Sequence, residues 1–254
     1  MAAAGGLRSI PKGEGKMHRK PGRRQIVQMQ RLLLAGGLGL LILLVIILAV
    51  SGQRRKKPLE AQPVQSSSAQ GSSSASMTPE EEAYWAGCPE LDVQLLTPNA
   101  HSRPQLPLTE VNGIVIHYTA NPGSTAQENR DYFENLGKEE SDVYVSSHFV
   151  IGLEGEIIQC IPSSEMSYAS NDRNTDTLAI ECCHPDETGK FTDATYTSVV
   201  ELTAWLCKAF DLKPEDVIRH YDITGKDCPK YYVEHPEAWE TLLTDIREQY
   251  MSLV

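Results

Sequence analysis

The chain has 254 residues, with 23 Lys and Arg against 34 Asp and Glu for a net charge of −11, and 41% apolar residues. That length allows one or two domains. The charge is uneven: residues 1–57 hold 12 Lys and Arg and one acid, Glu14, whereas residues 84–254 hold 11 Lys and Arg against 29 Asp and Glu. The body therefore lacks the cations that phosphate contacts require, which excludes nucleic acid as its partner.

Residues 1–31 form a basic tail with eight Lys and Arg. Leu32 to Val50 follows, uncharged and rich in Leu, Ile and Val. As a helix rising ~1.5 Å per residue it spans roughly 28 Å, close to a hydrocarbon core of ~30 Å. A secretory signal peptide has a shorter apolar region of ~7 to 15 residues, so residues 32–50 read as a retained membrane anchor. The larger cluster of Lys and Arg precedes the run, and four more (Arg54, Arg55, Lys56, Lys57) follow it. This asymmetry predicts a single-pass protein of the cell membrane, with a cytoplasmic N-terminus and the acidic body outside.

Residues 51–83 are rich in Gln, Ser, Pro, Ala and Gly, with almost no bulky apolar side chain. Such a stretch cannot bury enough surface to offset its ordering entropy and reads as a flexible linker.

Residues 84–254 carry the patterning of one folded domain. Tyr84, Trp85 and Leu91 to Leu96 form an arm that the pattern does not place. Val111 to Tyr118 reads as a buried strand ending at His117. A helix follows, with Ser124-x-x-Gln127 as its capping box, Tyr132, Phe133 and Leu136 on its apolar side and Gly137 at its stop. Ser147 to Ile151 and Glu156 to Ile161 flank Leu153-Glu154-Gly155 as a hairpin, and Leu178 to Cys183 is another strand. Tyr196 to Phe210 and Trp239 to Tyr250 repeat at helical spacing, the second after Pro236. Strands alternating with helices predict an α/β fold, a single mixed sheet covered by helices.

Reactive side chains gather between Arg219 and Cys228. Val217 and Ile218 suit a short buried strand with His220 at its end, and Asp222 to Gly225 suit a turn back towards Cys228. Imidazole and thiolate are the ligand types zinc prefers, and His117, at another strand end, supplies a third. Three protein ligands leave a fourth position open, as in catalytic zinc sites. The rival use of Cys228, a nucleophile paired with a His, leaves the second strand-end His without a purpose. His148 beside Phe149 reads as a strand histidine satisfied within the core, Asp227 as a turn residue, and Asp222 as either a turn residue or a partner of His220. His101, His184 and His235 fall in loops without evident partners. Cys182, Cys183 and Cys207 read as small core residues, and Cys88 and Cys160 are the pair open to a disulfide outside the cell.

Taken together, Val-Ile-His117-Tyr118-Thr119, Ser147-His148-Phe-Val-Ile-Gly-x-x-Gly155, Ala-Ile-Glu181, Arg-His220-Tyr-Asp and Lys226-Asp-Cys228-Pro resemble the zinc N-acetylmuramoyl-L-alanine amidases, whose fold is shared with phage lysozyme-type amidases and peptidoglycan-recognition proteins. The resemblance runs from about Val111 to Tyr250. It implies zinc (Zn2+) held by His117, His220 and Cys228, Lys226 stabilising the oxyanion, and Glu181 as general base. Their plainer readings are a surface ion pair for Lys226 and a structural acid for Glu181. Other members place a catalytic Tyr where Ser147 stands, which leaves Glu181 as the expected base. The implied activity is that of a bacterial cell-wall hydrolase cutting peptidoglycan between the lactyl group of N-acetylmuramic acid and L-alanine. The alternative is a module on the same fold that binds peptidoglycan without cutting it. Binding-only relatives typically lose the cysteine ligand, which Cys228 preserves.

Overall fold

Burial on both faces of a sheet of six short strands organises the domain, for which a computed structural model describes residues 77–138 and 142–253. The expected basic tail, the apolar run 32–50 and most of the linker lie outside the described residues. Among the described residues no helix is long and apolar enough to cross a membrane.

In chain order the elements are α1 (Pro79–Trp85), β1 (Asp92–Val93), β2 (Gly113–Tyr118), α2 (Ala126–Leu136), β3 (Phe149–Ile151), β4 (Ile157–Gln159), β5 (Thr177–Cys182), α3 (Asp193–Ala209), β6 (Val217–Arg219), α4 (His220–Thr224), α5 (Lys230–Glu234) and α6 (Pro236–Leu253). The strands form one sheet in the order β1-β4-β3-β5-β2-β6. Only β3 and β4 pair antiparallel; every other neighbouring pair is parallel, so the sheet is mixed. The fold is α/β, with helices on both faces.

The period of two along the strands divides the core. Ile114 and Ile116 of β2, with Leu178, Ile180 and Cys182 of β5, pack with Val199, Leu202 and Leu206 of α3 and Leu242 and Ile246 of α6. On the opposite face Val150 and Ile158 pack with Phe133 and Ala126 of α2 and with Leu96. His117 and Glu181, paired across β2 and β5, alternate with the first set and so belong to the α2 face. Because β5, β2 and β6 run parallel, their C-terminal ends lie side by side, the usual place for a site in an open α/β sheet.

Several local readings shift. The capping box of α2 is Thr125 with Glu128, one residue beyond the expected pair. Glu128 N–H donates to Thr125 Oγ1 at 3.2 Å and Thr125 N–H to Glu128 Oε2 at 2.9 Å. Both pairs fit the motif, but a carboxylate accepts more strongly than an amide and also meets the positive end of the helix. Ser124 instead closes the preceding turn, donating to Asn121 O at 2.7 Å. The expected turn after His220 is the short helix α4, which His220 opens; it ends at Gly225, whose φ of +75° is the left-handed conformation that glycine adopts freely. The unplaced arm includes α1, whose Trp85 stacks on Trp205 with ring centroids 5.6 Å apart. All six cysteines are free thiols, including Cys88 and Cys160.

Candidate metal centre

Each of the three candidate ligands reaches the site by a different device. His117 sits near the end of β2 and is 1% exposed. His220 follows β6 and opens α4, whose start is tied by the Asp222 carboxylate: it accepts from Arg219 N–H at 2.8 Å and pairs with Arg219 Nη2 at 2.7 Å. Asp222 therefore fixes the segment that carries His220 through Arg219. Cys228 returns on the loop after Gly225, held by Tyr221 N–H donating to Cys228 O at 2.9 Å and Cys228 N–H donating to Lys226 O at 2.7 Å.

The donor atoms of His117, His220 and Cys228 all lie within 4.8 Å of one another, and all three residues are buried. Cys228 Sγ is 3.7 Å from His117 Nδ1. The far nitrogens are held elsewhere: His220 Nε2 is 2.8 Å from Asn171 Oδ1, and His117 Nε2 is 3.4 Å from Ser170 Oγ. Asn171 Oδ1 can only accept, so His220 Nε2 carries the proton and Nδ1 the lone pair. That Nδ1 is buried and has no hydrogen-bond partner. Asn171 adopts φ +50°, uncommon outside glycine, to make this contact. A converging, lone-pair-bearing set of two imidazoles and one sulfur fits zinc with one position open.

Charge around the centre is set by burial. Burial, then the neighbouring His220 and the Lys226 cation, holds His117 well below the ordinary histidine range, and burial with Lys226 lowers His220 as well. Both rings are thus neutral, as ligands must be. Burial and the Glu181 carboxylate push the Cys228 thiol up to about 12, against the backbone hydrogen bond from Tyr118 and the charge of Lys226. Burial likewise raises Glu181 to about 8, with Lys226 pulling the other way. Glu181 Oε2 is buried without a hydrogen-bond partner, a costly state for a carboxyl group that only helps to hold the fold.

A hollow of about 330 Å³ opens over the centre, walled by the three candidate ligands, Glu181 and Lys226, together with Tyr118, Tyr144, Tyr168 and Asn171. All five residues singled out from the sequence therefore meet at one pocket. Ser147 does not join them: it is fully buried and its hydroxyl lies 2.9 Å from both Phe149 O and Ala179 O, bracing the sheet. His148 is likewise internal, with Nε2 against Glu165 O at 2.8 Å and Nδ1 accepting Ala179 N–H at 3.0 Å. Asp227 is exposed. His101 stacks on Tyr144, His184 lies under Tyr118, and His235 pairs with Glu237. Sequence reasoning missed Ser170, Asn171, Tyr144 and Tyr168, which fall in irregular segments where no periodicity marks a side chain as inward. The run Asn171-Asp172-Arg173-Asn174 was the available signal, a polar cluster between two strands.

Residues 107–231 match the family model described as N-acetylmuramoyl-L-alanine amidase. Among curated relatives, N-acetylmuramoyl-L-alanine amidase CwlL of Bacillus licheniformis is 33% identical over 168 residues, covering 61% of this chain and 45% of that protein. N-acetylmuramoyl-L-alanine amidase BlyA of Bacillus subtilis (strain 168) is 33% identical over 162 residues, covering 56% and 42%. The matches thus span less than half the length of these relatives. Among solved structures, the catalytic domain of XlyA aligns with a TM-score of 0.53 at 23% identity, covering 62% of this chain and 99% of that one. PlyL aligns at 0.54 and 20%, covering 63% and 98%. These two likenesses show a shared fold.

Proposed function

With residues 107–231 as a domain of the N-acetylmuramoyl-L-alanine amidase family, we propose that the chain is a zinc hydrolase cutting the amide between the lactyl group of N-acetylmuramic acid and L-alanine of peptidoglycan. The observation that carries this reading is the convergence of His117, His220 and Cys228 within 4.8 Å in the pocket that also holds Glu181 and Lys226.

His117, His220 and Cys228 would hold the zinc, which would supply a Lewis acid and bring the acidity of a water near neutrality. The chain's own groups do the rest. Glu181 Oε2, buried and unpartnered, accepts the proton of the attacking water and returns it to the departing amine nitrogen. A carboxyl raised to about 8 by burial holds a returned proton readily, and Lys226, pulling the other way, favours the ionised form that accepts one. Lys226, exposed at the pocket rim, places positive charge where the carbonyl oxygen becomes anionic. Asn171 holds the His220 ring by Nε2 and leaves the buried Nδ1 without a hydrogen-bond partner. Ser147 takes no part, its hydroxyl being engaged by two backbone carbonyls.

The test is digestion of purified peptidoglycan by the full chain, with zinc content measured beside mass analysis of the products. Release of stem peptides with a free L-alanine amine is expected. A zinc-loaded protein that binds the wall and releases none would leave only the binding-module reading. The apolar run 32–50 supports a further part of the proposal, a cell-membrane anchor with the catalytic domain outside. Protease added to intact cells stripped of their outer layers should release a soluble fragment that begins between residues 51 and 83; protection of the domain would defeat the orientation.

A further inference from the structure

Beside the metal pocket lies a second hollow of about 480 Å³, formed by the loop from Pro98 to Gln105 and by Tyr144 and Tyr168. The same two tyrosines wall the metal pocket, so the hollows adjoin across them. The size is that of a small-molecule site.

The loop is firmly built. Asn99 Nδ2 donates to Thr97 O at 2.9 Å and to Ser102 Oγ at 2.8 Å, and its Oδ1 accepts the N–H groups of His101 at 2.8 Å and Ser102 at 2.9 Å. Arg103 grips Glu165 with two hydrogen bonds of 2.9 and 2.8 Å and donates a third to Leu96 O at 2.7 Å. Gln105 closes the loop at φ +56°, a left-handed conformation that a non-glycine residue adopts only when its surroundings hold it there. The product of this rigidity is an aromatic shelf. His101 stacks on Tyr144 with centroids 4.9 Å apart, Tyr168 meets Tyr144 edge-on at 5.6 Å, and Tyr144 still exposes 55% of its surface. A large ring fixed in place and left open to solvent can bind at little further entropic cost.

Charge selects the occupant. The single charged side chain lining this hollow, Arg103, is neutralised by Glu165. A segment bearing free carboxylates finds no cation there, whereas a pyranose ring offers an apolar C–H face to an aromatic ring and hydroxyl and acetamido groups to water and loop backbone. We propose that this hollow is a saccharide subsite that receives the neutral sugar units of the glycan strand next to the muramic acid under attack, while the stem peptide leaves by another side. The assignment deepens the amidase reading and rests on it for the identity of the polymer.

The experiment titrates the full-length, zinc-loaded protein with a neutral tetramer of N-acetylglucosamine, followed by NMR of the tyrosine rings, and separately with a free stem pentapeptide. The tetramer is expected to perturb Tyr144 and Tyr168. Ala100→Trp, which fills the hollow, and Tyr144→Ala, which removes the shelf, should each weaken it at least tenfold, while Tyr132→Ala on α2 leaves its affinity unchanged. In turnover, the preference for a tetrasaccharide-peptide over a single-sugar muramyl peptide should fall in KM in the first two variants. Wild-type affinity for the tetramer in folded Ala100→Trp and Tyr144→Ala proteins, or perturbation of the shelf by the pentapeptide instead, would overturn the subsite. Tetramer binding at the shelf with no amide cleaved would defeat the amidase reading and leave the subsite standing; release of stem peptides with no tetramer effect would do the reverse.

Discussion

At the scale of single residues the centre is a set of proton positions. With His117 and His220 held neutral and the Cys228 thiol raised to about 12, the proton that zinc must displace near neutrality is that of Cys228. Metal affinity should therefore rise at least tenfold per pH unit from 7 to 9, with at least one proton released per zinc, since Glu181, raised to about 8, and a bound water add to the proton of Cys228. Calorimetry in buffers of different ionisation enthalpy counts that proton, and a count of zero removes Cys228 from the ligand set. Asn171 should matter to the metal more than to the fold. Asn171→Gly, which adopts the φ of +50° freely, frees the His220 ring, and a zinc affinity lower by about 10- to 100-fold is expected at a nearly unchanged melting temperature of the metal-free protein. Glu181→Gln separates chemistry from binding: zinc content should persist while kcat falls by roughly 10² to 10⁴. Near-normal turnover in that variant would point to another base.

At the scale of elements, the buried strands carry a second pH dependence. His148 is fully buried, and desolvation lowers it to about 4 against 6.5 in the unfolded chain. The unfolded state thus binds a proton between pH 6.5 and 4 that the folded state refuses. The stability contribution is complete above 6.5, falls as the pH drops through this window and levels off below 4, a loss of about 3 kcal/mol. Urea unfolding of the wild type and His148→Gln at pH 7 and 4.5 reads it; the variant should have the shallower dependence. How far the elements were legible follows from length and period. β2 and β5 were readable as largely apolar runs of six residues buried on both faces, and α3 and α6 as helical patterns of 17 and 18 residues that bury one face. α4, with five residues, and α1, whose buried contact comes from Tyr84 and Trp85 at its end, are too short for a 3.6-residue period to emerge. Candidate ligands could be named from side-chain chemistry at strand ends, since His117, His220 and Cys228 are metal ligand types wherever they occur. Asn171 and Tyr144 could not, because their roles depend on loops folding back over the sheet.

At the scale of the whole domain, the N-terminal arm is part of the fold. Trp205, buried under α1, donates from Nε1 to Tyr84 O at 3.1 Å, and Lys208 Nζ donates to Ala86 O at 3.2 Å. Trp85→Ala removes the stack on Trp205 and should destabilise the domain by about 1–2 kcal/mol. Denaturant midpoints check this, with zinc affinity unchanged because the substitution lies on the opposite face of the sheet from His117 and Glu181.

That placement decides where a mechanical load would travel. A pull on the chain at residue 77 enters the domain through the indole stack and the carbonyl clasps of α3, a helix of 17 residues rooted in the larger core. The segment from Arg219 to Cys228 lies outside that path. Tension on the arm would be borne by the helical layer, and the spacing of His117, His220 and Cys228 would survive forces that begin to peel α1 away.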